Sequence, residues 1–423
     1  MNGSGALAFG KGSSIVVRKC QVCDSPNLER VLFLGYLPPV NAFNPIGEMP
    51  HEQSSYPAQL LYCNRCHLVQ LGLVVDPQII FPRSYPYTSS TTKILRDNFA
   101  ELYQECRTIV DIGTDDLVVD IGSNDGNLLS NFKDNHRVLG ITPEKIGKIA
   151  IARGIPTLME YYTKRVAEKV RAKYGTAKVV TATNVFAHME NINEITQSIF
   201  DLLKDDGVFI SESHYLFSLI ETLQYDTIYH EHLRHYSLHS LKFLLERHGF
   251  EVIHAKQIPT HGGSIRVYAA KKGAYPVRKT VAALLKKEKR TVEKKGLVEF
   301  KKRVVMSKLE LHALMLSVKR QGKRIYGISA PSRASTLINY VGIDDGIVDC
   351  IVEVSGSHKI GKYVPGTLIP VLEESKLFKD QPEYALLFSW HIAEELMPKL
   401  RKAGFKGKFI IPLPKPHIAD PKG

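Results

Sequence analysis

The segment Tyr229-His230-Glu231-His232-Leu233-Arg234-His235-Tyr236 gathers three imidazoles, one carboxylate and two phenols within eight residues. An imidazole near neutral pKa can lift a proton from carbon beside a ketone, a carboxylate can orient it, and a phenol can donate to the resulting oxyanion. His232, Tyr229 and Glu231 are therefore candidate catalytic groups, with a polar structural cluster as the plainer alternative. The zinc-helix pattern H-E-x-x-H is not met. Counted from His230-Glu231, its second histidine falls where Arg234 stands.

A second constellation precedes it, Val118-Val119-Asp120-Ile121-Gly122-Ser123-Asn124-Asp125-Gly126-Asn127. Its glycines let the backbone approach a ligand at a helix start. The spacing is D-x-G-x-x-x-G, not the dinucleotide G-x-G-x-x-G. It resembles motif I of the class I S-adenosylmethionine-dependent methyltransferases, which makes Asp120, Gly122, Asn124 and Gly126 candidate cofactor ligands; a tight strand-helix turn is the alternative. That family places an acid for the ribose hydroxyls at the end of the second strand. Here Thr142 stands there, with Glu144 two residues on. Asn184 and His188, in Ala182-Thr183-Asn184-Val185-Phe186-Ala187-His188, follow the third strand-like run. No Asn/Asp-Pro-Pro-aromatic motif accompanies them, so small-molecule chemistry fits better than methylation of nucleic-acid amino groups; a buried core role is the alternative for His188.

Cys20-x-x-Cys23 and Cys63-x-x-Cys66 each present two thiolates on one side of a turn, and two such turns complete a tetrahedral zinc site. With all four positions filled, this metal is expected to be structural. Three further loops join glycine or hydroxyl groups to a cation. His261, Ser264 and Arg266 lie in one, Ser329, Ser332 and Arg333 in another, and Lys359, Lys362 and Tyr363 in the third. The second is suited to a diphosphate at a helix start; each is as readily an ordinary turn.

The elements that must position these groups follow from periodicity. Residues 15–80 form a first unit around the cysteines. Short apolar runs at 117–121, 137–141, 178–181 and 208–211 alternate with helical patterns at 127–132, 146–153, 162–174 and 195–203. This βαβ rhythm implies a parallel sheet with ligand loops at the strand C-termini. The runs 252–257 and 264–270 read as a closing antiparallel pair. After a basic helical stretch, runs at 324–329, 348–352, 385–388 and 409–411 form a second, smaller α/β unit.

The 423 residues, 44% apolar and 23% charged, are ordinary for a globular protein of several domains. No apolar run reaches the roughly 18 residues of a membrane span. The small, Gly/Ser-rich start lacks an apolar signal core, so a soluble, cytoplasmic protein is expected. The net charge of +13 sits largely between Lys271 and Lys302. There lysines alternate with apolar residues as one solvated helix face does. A nucleic-acid partner is thus weakly supported against a small anionic substrate.

Taken together, these residues resemble the nucleotide-sugar C-methyltransferases, which methylate C-3 of 4-keto-deoxy sugars in branched-sugar biosynthesis. The likeness runs from Cys20 to about Pro416. It rests on the paired CxxC, Tyr85-Pro86-Tyr87-Thr88-Ser89-Ser90, the Asp120 loop, Asn184 to His188, Tyr229-His230-Glu231-His232, His261-Gly262-Gly263-Ser264 and Lys362-Tyr363-Val364-Pro365-Gly366. The resemblance implies a zinc-binding domain (15–80), a class I methyltransferase core (81–275), a basic helical connection (276–310) and a C-terminal Rossmann-like nucleotide-sugar-binding domain (311–423). It implies His232 as the base for the C-3 proton, Tyr229 and Glu231 lining the sugar pocket, and His188 near the 4-keto group. It places Tyr87 near the sulfonium, with Ser89 in the same motif. The implied substrate is most often a thymidine diphosphate sugar, and the implied state a monomer. Two rivals stand beside this: a methyltransferase of another small metabolite, and a noncatalytic basic zinc protein that binds nucleic acid.

Overall fold

The computed structural model describes residues 14–48, 53–80 and 92–420. Three larger sheets carry the molecule beside a two-stranded one, Ile15–Val16 with Leu73–Val74, and a continuous apolar cluster extends through the three, from Cys20 to Leu413.

The central sheet has seven strands in the order Phe250–Ile258, Ser264–Lys271, Leu203–His214, Ala177–Thr183, Leu117–Ile121, Arg137–Ile141, Thr157–Leu158. The last five are parallel; the first two close the sheet as an antiparallel pair. Leu117–Ile121 is buried along its whole length, as a strand covered on both faces must be. Register sets Asp120 beside Gly140 on one side and Thr181 on the other. Asp120, Gly122, Thr142, Asn184 and His214 therefore all emerge near the strand C-termini, where an open parallel sheet binds ligands.

The helical pattern at 127–132 yields only a single tight turn, Leu129–Asn131. The side chains of Ser130 and Asn131 donate to the carbonyl of Asn127 at 2.7 and 3.1 Å. They take the acceptor that a growing helix would use. The basic stretch forms two helices, Lys279–Val292 and Lys294–Lys319. The second runs beyond the expected end at 310. Leu297, Phe300, Val304, Leu311, Met315 and Val318 recur at helical spacing on its buried side. One acid of the first helix faces inward. Glu288 accepts from the backbone N–H groups of Leu238 and His239 (2.9 and 2.8 Å) and from the Tyr215 hydroxyl (2.7 Å). It supplies the orphan amides of helix Leu238–Arg247 with an acceptor from outside that helix.

The units exchange short strands. The cysteine-bearing sheet pairs Leu28–Leu37, Tyr56–Cys63 and Val69–Leu71, and its fourth strand is Arg234–His235 from the histidine segment. In return Asn44–Pro45 joins the edge of the eight-stranded C-terminal sheet beside Lys362–Tyr363. No helix among the described residues is long and apolar enough to cross a membrane.

Candidate active site

A cleft of about 1590 Å³ runs between these units. It is lined by the Asp120–Asn124 loop, Glu144, Asn184, His188, His214, Tyr229 to His235, His261, Ser332, Arg333, Lys359 and His391. The structure thus brings His232, His188, Tyr229, Glu231, Asp120, Gly122, Asn124, Asn184, His261, Ser332 and Arg333 to one cavity.

His232 lies at its centre. Its Nδ1 is 2.7 Å from the carbonyl oxygen of Thr227. A carbonyl only accepts, so Nδ1 carries the proton and the lone pair is on Nε2. The Tyr229 ring packs 4.3 Å from the His232 ring, with His188 and His214 each at 5.0 Å. His261 stacks on His214 at 5.4 Å. Burial, reinforced by the neighbouring imidazoles of His188 and His235, holds the His232 pKa well below 6.5. The ring is a neutral base at physiological pH. His188 is lowered by burial as well; its Nδ1 donates to the Glu231 carbonyl at 2.6 Å. Glu231 accepts from the Asn41 side-chain amide at 2.7 Å.

On the cofactor side, Gly122 has φ +77° and a Cβ there would lie 2.3 Å from Val185 Cγ1. Gly126 has φ +79°, and its Cβ would lie 2.7 Å from Ile155 Cδ1. Both turns need glycine. Burial raises the Asp120 carboxyl to about 7, against the Thr181 hydroxyl, which donates to it at 2.6 Å. Thr142 is buried and does not line the cleft. Its hydroxyl donates to Glu144 at 2.5 Å, and Glu144 does line the cleft. The carboxylate displaced two residues from its expected place reaches the same cavity. Gly126 shapes the turn from outside the lining. The glycine cradle and the Glu144 carboxylate fit a nucleoside cofactor. Tyr87 and Ser89 lie outside the described residues.

Several substrate assignments are corrected. Arg266 is fully buried and absent from the cleft. It donates to Glu212 (2.6 Å), Glu101 (2.5 Å), Glu105 (2.8 Å) and Asn98 Oδ1 (3.0 Å), so it ties helix Lys93–Ile109 to the sheet. With the Asn98 carbonyl at 3.2 Å as a fifth acceptor, this guanidinium is spent inside the protein as a strut. Ser264 is buried, its hydroxyl spent on the Thr260 carbonyl at 3.0 Å. Ser329 turns the chain at φ +65° behind the lining. Lys362 sits in the strand beside Asn44–Pro45, and Tyr363 borders a separate cavity of about 420 Å³ with Tyr36 and Gly366. Arg333 reaches the wall, but its Nε and Nη2 grip Asp226 at 2.8 Å each. Lys359, at the head of the third cation-bearing loop, lines the cleft, while His214, His391 and Asn41 join the site without having been singled out by motif. Of these, only His214 carries a signal, as a polar residue ending a parallel strand.

The four cysteine Sγ atoms lie within 4.8 Å of one another, all buried. Cys20–Cys66 and Cys23–Cys63 are each 3.4 Å apart. Tetrahedral Zn–S bonds of about 2.3 Å set sulfurs about 3.8 Å apart, so the set fits zinc with no position left for a substrate. The two knuckles share one turn. Asp24 and His67, each next after the second cysteine, have φ +59° and +57°. His67 stacks on His239 at 4.5 Å and stands outside the set.

Comparison with known proteins agrees with this arrangement. Residues 20–81 match a family model described as a zinc binding domain, 93–255 a methyltransferase domain, and 259–414 a C-methyltransferase C-terminal domain. The C-methyltransferase NovU of Streptomyces niveus is 31% identical over 414 residues, 95% of this chain and 97% of its own. Among solved structures, a SAM-dependent methyltransferase from Archaeoglobus fulgidus covers 42% of this chain and 94% of its own at 15% identity, TM-score 0.35. One from Clostridium acetobutylicum covers 44% and 94% at 11% identity, TM-score 0.32. With a relative this similar along nearly the whole of both sequences, the chain belongs to the C-methyltransferase family and is an S-adenosylmethionine-dependent enzyme with a zinc-binding N-terminal domain.

Proposed function

We propose that this C-methyltransferase acts on C-3 of a nucleotide-linked 4-keto-deoxy sugar, with His232 as the base. The observation that carries the reading is the Nδ1 contact of His232 with the Thr227 carbonyl, which leaves Nε2 as the basic nitrogen in the cleft. Removal of the C-3 proton breaks the C–H bond. The proton goes to Nε2, and the electron pair passes into the adjacent ketone to give an enediolate. Tyr229, packed on the base, donates to the developing oxyanion, and His188 stands beside it. Bound S-adenosylmethionine supplies the electrophilic methyl group. The residues of the chain align the sugar carbon for in-line attack and exclude water from it.

Glu144, oriented by Thr142, is assigned to the ribose hydroxyls of the cofactor. The diphosphate is assigned to the start of helix Ser332–Val341, with Ser332 and Lys359. Lys359 Nζ is held 2.6 Å from the Ala330 carbonyl, beside that helix start. Thymidine is the base that the family resemblance favours.

The test is hydrogen exchange in heavy water with a 4-keto sugar nucleotide and no cofactor. The wild-type enzyme exchanges the C-3 hydrogen and His232→Asn does not. Retained exchange in His232→Asn moves the base elsewhere, and no exchange by the wild type removes the substrate assignment. Thermal shifts with S-adenosylhomocysteine and a panel of nucleoside diphosphates identify the base, because a ligand bound only by the folded state raises the melting temperature.

A further inference from the structure

Asp226 sits in the turn Tyr225–Thr227 and is buried. Besides Nε and Nη2 of Arg333, it accepts from Trp390 Nε1 at 2.8 Å. Arg333 Nη2 also donates to Gln224 at 3.1 Å, and Nη1 donates to His391 Nδ1 at 3.0 Å. The guanidinium lies 5.0 Å from the centre of the Trp390 ring. These contacts use four of the five N–H donors of an arginine. The group is therefore not available for the two-pronged grip on a diphosphate that its place at a helix start suggests.

The residue after Asp226 is Thr227, whose carbonyl receives the Nδ1 proton of His232. The Thr227 hydroxyl and backbone N–H both donate to the Gln224 carbonyl, at 2.8 and 3.1 Å, which closes the turn. The Gln224 side chain holds the Gly262 carbonyl at 2.6 Å, next to His261. Arg333 and Trp390 belong to the C-terminal unit; the turn and His232 belong to the methyltransferase unit.

We propose that Arg333 and Trp390 are positioning residues that act through Asp226. They fix the turn that aims the Thr227 carbonyl, and so keep the proton of His232 on Nδ1 and its lone pair on Nε2. The C-terminal unit thereby sets the tautomer of the base. Its catalytic consequence rests on the assignment of His232 as the base. The tautomer itself does not.

The experiment uses the full-length zinc enzyme and four variants: Asp226→Asn, Trp390→Phe, Arg333→Lys and His232→Asn. Histidine ¹⁵N spectra, with the His232 signals assigned by their loss in His232→Asn, should show an Nδ1–H tautomer in the wild type. Asp226→Asn and Trp390→Phe should show a mixture. In the same two variants kcat and C-3 exchange should fall about 10- to 100-fold, the cost of a displacement near 1 Å, while KM for the sugar nucleotide stays within about 3-fold. Adding Asp226→Asn to His232→Asn should slow the enzyme no further, because the turn then has no base to aim. Trp390→Phe removes the one N–H donor and keeps a smaller aromatic ring in its place, so it reports even where Asp226→Asn does not fold. The proposal is overturned if both variants lower the melting temperature but leave tautomer and exchange unchanged. It is also overturned if Arg333→Lys raises KM alone, which would make Arg333 a diphosphate ligand. A wild-type enzyme inactive on every keto sugar nucleotide would sink the substrate reading and leave the tautomer measurement to decide the clamp.

Discussion

The side-chain amide of Asn41 donates a 2.7 Å hydrogen bond to the carboxylate of Glu231, across 190 residues of sequence. Asn41 lies in the loop that leaves the zinc unit's strand Leu28–Leu37. A second link is parallel to it. Gln21, between the cysteines of the first knuckle, accepts from the Arg234 guanidinium. With the Arg234–His235 strand paired to Val69–Leu71, the zinc unit grips the histidine segment through backbone and side chains alike, so loss of its metal is expected to reach catalysis without any contact to substrate.

Removing that metal should cost activity and stability together. Treatment with a strong chelator, or Cys63→Ser, is expected to release one zinc per chain, lower the melting temperature and abolish methylation. Asn41→Leu separates the two effects. It should retain zinc while kcat falls about 10-fold, the cost of leaving a buried carboxylate short of one partner. Metal analysis beside steady-state kinetics checks both; an Asn41→Leu enzyme of normal kcat would show the link to be idle.

Acid should destabilise the fold in a defined window. Burial lowers His230, His235 and His261 from 6.5 to about 4, and His391 to about 3. Above pH 6.5 these rings are neutral folded or unfolded and contribute nothing. Below it the unfolded chain takes up protons that the folded chain refuses, so stability drops until the folded rings titrate near pH 4. Each adds a slope of about 1.4 kcal/mol per pH unit. Asp120, raised by burial from 3.8 to about 7, works in the opposite sense, losing stability as pH rises through that range. Glu212 and Glu288, also raised by burial, act as Asp120 does, while His188, His214 and His232, lowered by burial, act with the four imidazoles, so the histidines outnumber the carboxyls and stay in control. Urea melts at pH 7 and pH 5 measure the difference, and equal stabilities would contradict it.

Arg266→Ala should destabilise the protein by about 3–5 kcal/mol, because it strands the fully buried Glu212 without its cation. A chemical melt reads this directly. An effect confined to substrate KM, with stability intact, would return Arg266 to the binding site.

Glu144→Gln should weaken the cofactor. Replacing a charged acceptor for the ribose hydroxyls by a neutral one is expected to raise the dissociation constant of S-adenosylhomocysteine about 10-fold. Calorimetry provides the number. Thr142→Val should follow in the same direction and by less, since Thr142 only orients the carboxylate.

The local patterns that could be read from the sequence are those with short-range causes. Leu117–Ile121 and Arg137–Ile141 fall where their apolar runs begin and end, because a strand covered on both faces is mostly apolar, with Asp120 at the ligand end of one and the exposed Arg137 at the start of the other as the exceptions. Residues Phe250–Ile258 and Ser264–Lys271 pair as expected, since a short connection leaves a hairpin little alternative. The paired CxxC turns bring their own sulfurs together, and Tyr229, Glu231 and His232 share a site because they are neighbours in the chain. The helical pattern at 127–132 misled because two polar side chains compete for the carbonyls.

Tertiary structure alone decided which charged groups face the cleft. Arg266 and Arg333 look the same in a sequence as cations that hold phosphate, yet Arg266 is claimed by Glu212, 54 positions away, and by Glu101 and Glu105, 165 and 161 away, and Arg333 by Asp226, 107 away on another unit. His391 carries no motif, and both it and Lys359 reach the cavity only because the C-terminal sheet packs beside the methyltransferase core. The tautomer of His232 depends on a carbonyl placed by a turn that a distant arginine holds. Residue type determines what a group can donate or accept; whether that capacity is spent inside the protein or offered to a ligand depends on partners that only the folded chain brings within 3 Å.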